Sequence, residues 1–270
     1  MPDLHAIITG GSSGIGKALA YQLAEQGYCL TLIARDITKL DQVEGGLKSR
    51  FPDLKLQVFS ADVGESKSII SVVKKSIDVF GAPDLLITSA GIAEPGYFEE
   101  LSLENFERAM QVNYLGSVYV VKAAIPAMIQ AKTGRVVLIS SGAAFTGIFG
   151  YTSYGASKFA LRGFAEALRA EMKPKGVAVS IVYPPDTDTP QLIAENLMKP
   201  VETKRISGGA KVLSAESVAL TILRGIKKKR FSIAPGFEMK LLNVLNSCLA
   251  PILYRYFDRI VRKSQTKKLV

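Results

Sequence analysis

The 270-residue chain has one histidine and two cysteines. Cys29 and Cys248 lie far apart with no CxxC and no Cys/His cluster, which excludes a disulfide framework and a structural metal site. A reducing, cytosol-facing environment fits that usage. His5 stands at the head of an apolar run with no nucleophile motif beside it. That excludes a Ser/His/Asp hydrolase and makes His5 structural. No basic region followed by an apolar segment and a small-residue cleavage site is present, because MPDLHAIITGG runs straight into a first strand; secretion is not expected. Internal repeats and low-complexity linkers are also missing.

What remains is a chain that is 48% hydrophobic, able to bury a substantial core in one domain. Short β-branched or apolar runs, HAIIT, CLTLIA, LQVFSA, DLLITS, RVVLIS and VAVSIVY, alternate with longer amphipathic stretches. That rhythm predicts an α/β fold: a doubly wound parallel sheet with helices on both faces and ligands bound beyond the carboxyl ends of the strands. After Tyr183 the pattern loosens around Pro184, Pro185, Pro190, Pro200, Gly208 and Gly209. A long irregular insert in a compact domain is commonly a binding loop, so residues 186–213 are expected to form a substrate lid. The organisation predicted is a domain over residues 1–235 followed by a C-terminal segment over 236–270.

TGGSSGIG, residues 9–16, follows the first strand and opens a helix through KALAYQLAEQG. Glycines there allow a tight turn and close backbone approach to a pyrophosphate, while the helix N-terminus supplies free N–H groups and a favourable dipole. The run resembles the TGxxxGxG pattern of the short-chain dehydrogenase/reductase family. Further markers of that family follow in order: Asp62 in SADV, Asn113 in QVNYLG, Ser141 in LISSG, and Tyr154 with Lys158 in YGASK. The resemblance implies a Rossmann-type fold in which Gly10, Ser12, Ser13, Gly14, Ile15 and Gly16 form the dinucleotide turn, with Asp62, Val63, Ala90 and Gly91 further along the cofactor. One marker departs: TSAG, residues 88–91, stands where many relatives carry Asn before the Ala-Gly pair. Altered hydrogen bonding beside the sheet is expected there, with no catalytic group lost.

Cofactor choice is read at the end of the second strand. TLIARD offers neutral Ala34 and then Arg35, a rigid guanidinium suited to a 2′-phosphate, where an acidic residue would bind a 2′-hydroxyl. NADPH is therefore favoured over NADH; the plainer alternative is a solvated turn residue paired with Asp36. Tyr154 and Lys158 are four residues apart and share a helix face. A phenol with an ordinary pKa near ~10 exchanges its proton poorly at neutral pH, and a neighbouring ammonium favours the phenolate, so the pair can serve as a tuned acid/base. Tyr151 also lies near the motif, but Gly155 follows it by four residues where a lysine is needed. The resemblance further implies that Ser141 holds the substrate carbonyl oxygen and that Asn113 holds a water linking the lysine to solvent. The reaction expected is hydride transfer from NADPH to a ketone carbon, with Tyr154 as proton donor.

NYLGSVY, SKFALRGFAEALRAEMKP and above all YPPDTDTP are similar to the 3-ketosphinganine reductases within that family. Pro184 and Pro185 replace the commoner Pro-Gly pair, a departure those reductases share. The resemblance implies that the substrate is a long-chain amino ketone lipid. It also places Pro184 and the following segment at the nicotinamide, with Thr187 or Thr189 bonding the carboxamide or pyrophosphate; local turn bonds are the alternative for both threonines. Asp186 or Asp188 is a candidate for the substrate's protonated 2-amino group, with helix capping or lid folding as the competing role. Reduction of another hydrophobic ketone, such as a steroid or acyl-chain carbonyl, and a nucleotide-sensing interaction protein are the alternative functions.

The net charge of +10 is concentrated at the end of the chain, where residues 227–270 hold 11 Lys and Arg against 2 Asp and Glu. There Phe237, Leu241, Leu245, Leu249, Ile252, Tyr256 and Ile260 recur at spacings of three or four, predicting an amphipathic helix broken or kinked near Pro251. Asn243, Asn246, Ser247 and Arg255 interrupt any span of ~20 apolar residues, so a transmembrane helix is not expected. A stripe with basic flanks suits peripheral contact with an anionic, cytosol-facing membrane surface, or packing against a second subunit. No nucleic-acid motif accompanies the basic residues.

Overall fold

The computed structural model describes residues 4–208 and 211–266. Its centre is a seven-stranded parallel sheet. Strands β1 (His5–Thr9), β2 (Cys29–Ala34), β3 (Leu56–Ser60), β4 (Leu85–Thr88), β5 (Arg135–Ile139) and β6 (Ala178–Val182) follow the six predicted apolar runs. A parallel pair, β7 (Thr187–Asp188) and β8 (Leu213–Ser214), lies outside the main sheet. The seventh sheet strand, β9 (Ser232–Ile233), was not predicted; two residues carry too little pattern to announce a strand. Sheet order is β3-β2-β1-β4-β5-β6-β9, so the chain reverses its direction of travel between β1 and β4 and leaves a crevice at their carboxyl ends.

Successive residues of each central strand feed opposite faces. Ile7, Leu86, Val136 and Leu138 join one buried cluster with helices α3 (Ser66–Phe80), α5 (Gly116–Ala131) and α6 (Thr152–Met172). Ala6, Ile8, Leu85, Ile87 and Val137 join the other with α1 (Gly14–Glu25), α2 (Ile37–Arg50) and α9 (Ala215–Lys227). Burial on both faces is why these strands read as continuous apolar runs. α4 (Leu103–Ala109) runs into α5 through a π-helical turn, Met110–Leu115, that carries Asn113. Residues 103–131 are long and apolar enough to cross a membrane, yet within the fold they pack against α3 and α6. His5 is buried on β1, its ring bonded to the Gly81 carbonyl at 3.0 Å and the Thr31 hydroxyl at 3.1 Å, a structural role.

Two expectations need correction. The segment after Tyr183 is largely helical: α7 (Pro190–Met198) and α8 (Val201–Ser207) fill most of it. Two of its prolines start helices: Thr189 N-caps α7 by accepting from the Leu192 N–H at 3.2 Å and Pro190 takes the first turn, where no N–H is needed, while Pro200 is the N-cap of α8. In the tail, one helix, α10 (Phe237–Thr266), runs through Pro251 without a break. Moreover, Phe237, Leu241, Leu245, Ile252 and Tyr256 of the predicted stripe are exposed, while Met239, Leu242, Leu253 and Phe257 face the protein. α10 is thus apolar on two sides. Arg205 ties it to α8 through the Ser264 hydroxyl at 2.7 Å.

Candidate active site

The floor of the crevice is the glycine turn between β1 and α1. Gly10 and Gly14 adopt positive φ, at 70° and 50°. A Cβ on Gly10 would stand 2.8 Å from the Ala90 nitrogen, and one on Gly16 would stand 2.2 Å from the Gly10 carbonyl oxygen. No side chain fits at either position, so backbone packs directly against backbone in the turn. Ser12, Ser13, Gly14 and Ile15 face the cleft where α1 begins. This is a cradle for a phosphate group, formed by close backbone packing and a helix N-terminus together.

At the rim, Arg35 pairs with Asp62 at 3.7 Å, and Asp36 instead caps α2 through the Lys39 N–H and pairs with the Lys39 ammonium at 3.3 Å. Arg35, Lys39, Asp62 and Val63 all line the cleft. Lys39 was missed in the sequence because its place depends on where α2 starts. Both cations are half or more exposed, so their ion pairs are weak and the guanidinium and ammonium stay available to an anion. The cradle and the two rim cations together fit a phosphorylated dinucleotide.

The turn after β4 meets this floor. The Ala90 N–H donates to the Thr9 hydroxyl at 3.3 Å, so β1 steadies the TSAG segment. Asn113 is fully buried. Its amide donates to the Ile92 carbonyl and the Ser157 hydroxyl, each at 2.9 Å, while its oxygen accepts from the Ile92 N–H at 2.8 Å. Both side-chain N–H groups are therefore spent on protein atoms, and the residue acts as a clamp between the β4 loop and α6. Gly91 leaves the space between them: a Cβ there would stand 3.1 Å from the Asn113 oxygen and 3.5 Å from the Lys158 nitrogen.

Tyr154 and Lys158 rise from the first turns of α6, with Ser141 opposite them beyond the end of β5. The Lys158 Nζ donates to the Ile139 carbonyl at 3.1 Å and lies 5.6 Å from the centroid of the Tyr154 ring. Burial lowers the lysine to about 8, partly offset by the negative charge of Glu195. Burial raises the Tyr154 phenol above its ordinary value, and Glu195 and Asp186 add to this, while a hydrogen bond with Ser141 opposes it. Tyr154 is accordingly a neutral proton donor with a cation beside it.

The YPPDTDTP segment closes one side. Pro184, Pro185, Asp186, Thr187 and Thr189 line the cleft. Both threonines make the local bonds of a turn: Thr187 donates to the Pro185 carbonyl at 2.8 Å and Thr189 to the Thr187 carbonyl at 3.1 Å. The Thr189 side chain also abuts Gly14, fixing this segment against the glycine turn. Asp186 meets the buried Lys199 ammonium at 3.5 Å, whereas Asp188 is exposed and does not line the cleft. Tyr151, Gln191 and Glu195 join the lining, and none of them was picked out as a site residue from the sequence. Glu195 lies on α7, the helix the prolines concealed. Ile206, Met239, Leu242, Leu253 and Phe257 from α8 and α10 supply an apolar wall to a cavity of about 460 Å³.

The family model for short chain dehydrogenases matches residues 4–199. A 3-ketodihydrosphingosine reductase of Bos taurus is 42% identical over 255 residues, covering 93% of this chain and 77% of its own. A 3-dehydrosphinganine reductase of Danio rerio is 41% identical over 251 residues, covering 92% and 76%. Among solved structures, a short-chain dehydrogenase from Sphingobium yanoikuyae in complex with NADPH superposes with a TM-score of 0.79 at 25% identity, covering 91% of this chain and 93% of that one.

Proposed function

Because the chain belongs to the short-chain dehydrogenase family, we propose that it reduces the 3-keto group of 3-ketosphinganine to the hydroxyl of sphinganine with NADPH. The observation that carries this reading is the Tyr154 phenol, which shares the cleft with Ser141 and is backed by the Lys158 ammonium, at the meeting of a phosphate cradle and an apolar wall.

The turn from Gly10 to Gly16 would hold the pyrophosphate and Arg35 with Lys39 the 2′-phosphate, and NADPH supplies a hydride to the ketone carbon when bound. Ser141 and Tyr154 hold the carbonyl oxygen between two hydroxyls. As negative charge develops on that oxygen, Tyr154 gives up its proton from Oη, and the Lys158 ammonium stabilises the phenolate left behind. Asn113 keeps the loop at Ile92 locked to α6, so the lysine and tyrosine hold their spacing. Met239, Leu242, Leu253 and Phe257 exclude water and accept the alkyl chain. NADPH consumption with 3-ketosphinganine, with sphinganine identified as product and Tyr154→Phe as the inactive control, tests the reading; no turnover by the wild-type chain refutes it.

The same helix that lines the cleft carries the proposed contact with an anionic, cytosol-facing membrane surface. Phe237, Val244 and Ile252 of α10 are 79%, 77% and 62% exposed, and KKKR at 227–230 lies just before it. Co-sedimentation with phosphatidylserine vesicles is expected for the wild-type chain and lost on changing these three residues to Ser. Equal partitioning of the two proteins refutes membrane contact through this face.

A further inference from the structure

The reductase chemistry leaves one carboxylate of the cleft unused. Glu195, on α7, is only 7% exposed and lines the cavity together with Tyr154. Its Oε2 accepts from the Tyr151 phenol at 2.6 Å and its Oε1 from the Gln191 amide at 2.8 Å. Both donors are neutral. Among the described residues, no Lys, Arg or His lies within 4.0 Å of this carboxylate, whereas the other two acids at the cleft that carry ion pairs to separate elements, Asp62 and Asp186, are matched by Arg35 and Lys199. A buried carboxylate without a counter-ion is costly, and two neutral hydrogen bonds satisfy only half of its roughly four acceptor sites. The remaining capacity suits a group that brings both positive charge and N–H donors.

Position agrees with that requirement. The Tyr151 and Tyr154 rings lie 5.5 Å apart, so the carboxylate that Tyr151 holds sits one side chain away from the reacting phenol. We propose that Glu195, oriented by Tyr151 and Gln191, is the residue that binds the protonated amine of a 2-amino ketone and so selects that substrate class. Asp186 is already neutralised by Lys199 and Asp188 lies outside the cleft, which leaves Glu195 as the carboxylate for this task. The inference rests on the proposed 3-ketosphinganine reductase activity and extends it: an amine one carbon from the ketone is held while Tyr154 serves the carbonyl. Binding the ammonium also cancels a charge that otherwise raises the Tyr154 phenol, so the correct substrate eases its own protonation.

The test compares kcat/KM for 3-ketosphinganine and its desamino analogue, 1-hydroxyoctadecan-3-one, in wild type and Glu195→Gln. Taking the ratio cancels any effect the substitution has through Tyr154 or Lys158 on ketones in general. We expect wild type to prefer the amino ketone and E195Q to lose at least ~10-fold of that preference. A preference unchanged in E195Q overturns the inference and leaves the reductase activity standing. Failure of wild type to reduce the amino ketone at all, while it reduces the desamino ketone, overturns the activity and the inference with it. A measurement that needs no variant to fold is competitive inhibition of wild type by dodecylamine against dodecanol. Tighter inhibition by the amine, by ~10-fold or more, is expected, and equal inhibition overturns the proposal.

Discussion

Gly16→Ala tests the cradle at its tightest point. The Cβ of the new alanine would stand 2.2 Å from the Gly10 carbonyl oxygen, 2.8 Å from the Gly10 carbonyl carbon and 3.3 Å from the Gly11 nitrogen. Carbon and oxygen ordinarily approach no closer than ~3.3 Å, so the turn has to open by about 1 Å. All three atoms are backbone, and no side chain can swing aside to absorb the shift. Alanine gains up to ~1 kcal/mol over glycine in a helix, but overpacking of this kind typically costs ~1–3 kcal/mol. The net expectation is a lower melting temperature, at roughly 2–4 °C per kcal/mol for a chain of this size. NADPH affinity, read by quenching or enhancement of cofactor fluorescence, should fall at least ~10-fold, because opening the Gly10–Gly16 contact shifts the Ser12–Ile15 segment that faces the cleft at the start of α1. Gly163→Ala is the control: it lies in α6 with nothing within 4 Å of its would-be Cβ, and should stabilise by ~0.5–1 kcal/mol with cofactor binding unchanged. NADPH binding within about twofold of wild type in G16A, with no loss of melting temperature, refutes the reasoning that this turn is a fitted cradle.

Arg35→Ala and Lys39→Ala together should cut the preference for NADPH over NADH by ~10-fold or more, measured as a ratio of kcat/KM values, and an unchanged ratio removes these residues from 2′-phosphate binding. For Lys158, the ammonium is the form that stabilises the Tyr154 phenolate; it is present below about 8 and lost above it, while Tyr154 stays protonated across that range. With the desamino ketone, whose own charge does not change, kcat/KM should therefore fall as pH rises through about 8, and a flat profile there refutes the role of the lysine.

The parts legible in the sequence are those dictated by local periodicity. β1, β2, β4, β5 and β6 are buried on both faces and, with the half-buried edge strand β3, show as apolar runs; the Gly10–Gly16 turn and the Tyr154–Lys158 spacing are contained within eight residues each. What escaped was either too short or distributed along the chain. β9 is two residues long. α7 was concealed because Pro190 and the threonines around it read as breakers, although Thr189 before Pro190 is also the signature of a helix start. The Tyr151–Glu195 pair joins the N-cap of α6 to α7 across 44 positions of sequence, and only the tertiary fold brings them together. In α10, apolar residues occupy two sides, so the 3–4 spacing of one stripe left open which side met the protein.

That two-sided helix has a practical consequence for anyone engineering the chain. Ending it at residue 235 would remove a sticky, basic surface, the usual remedy for poor behaviour in solution. It would also strip Met239, Leu242, Leu253 and Phe257 from the wall of the cavity. Solubility and grip on a lipid tail are therefore linked on one element, and improving the first without losing the second means replacing the outward residues one at a time and leaving the helix in place.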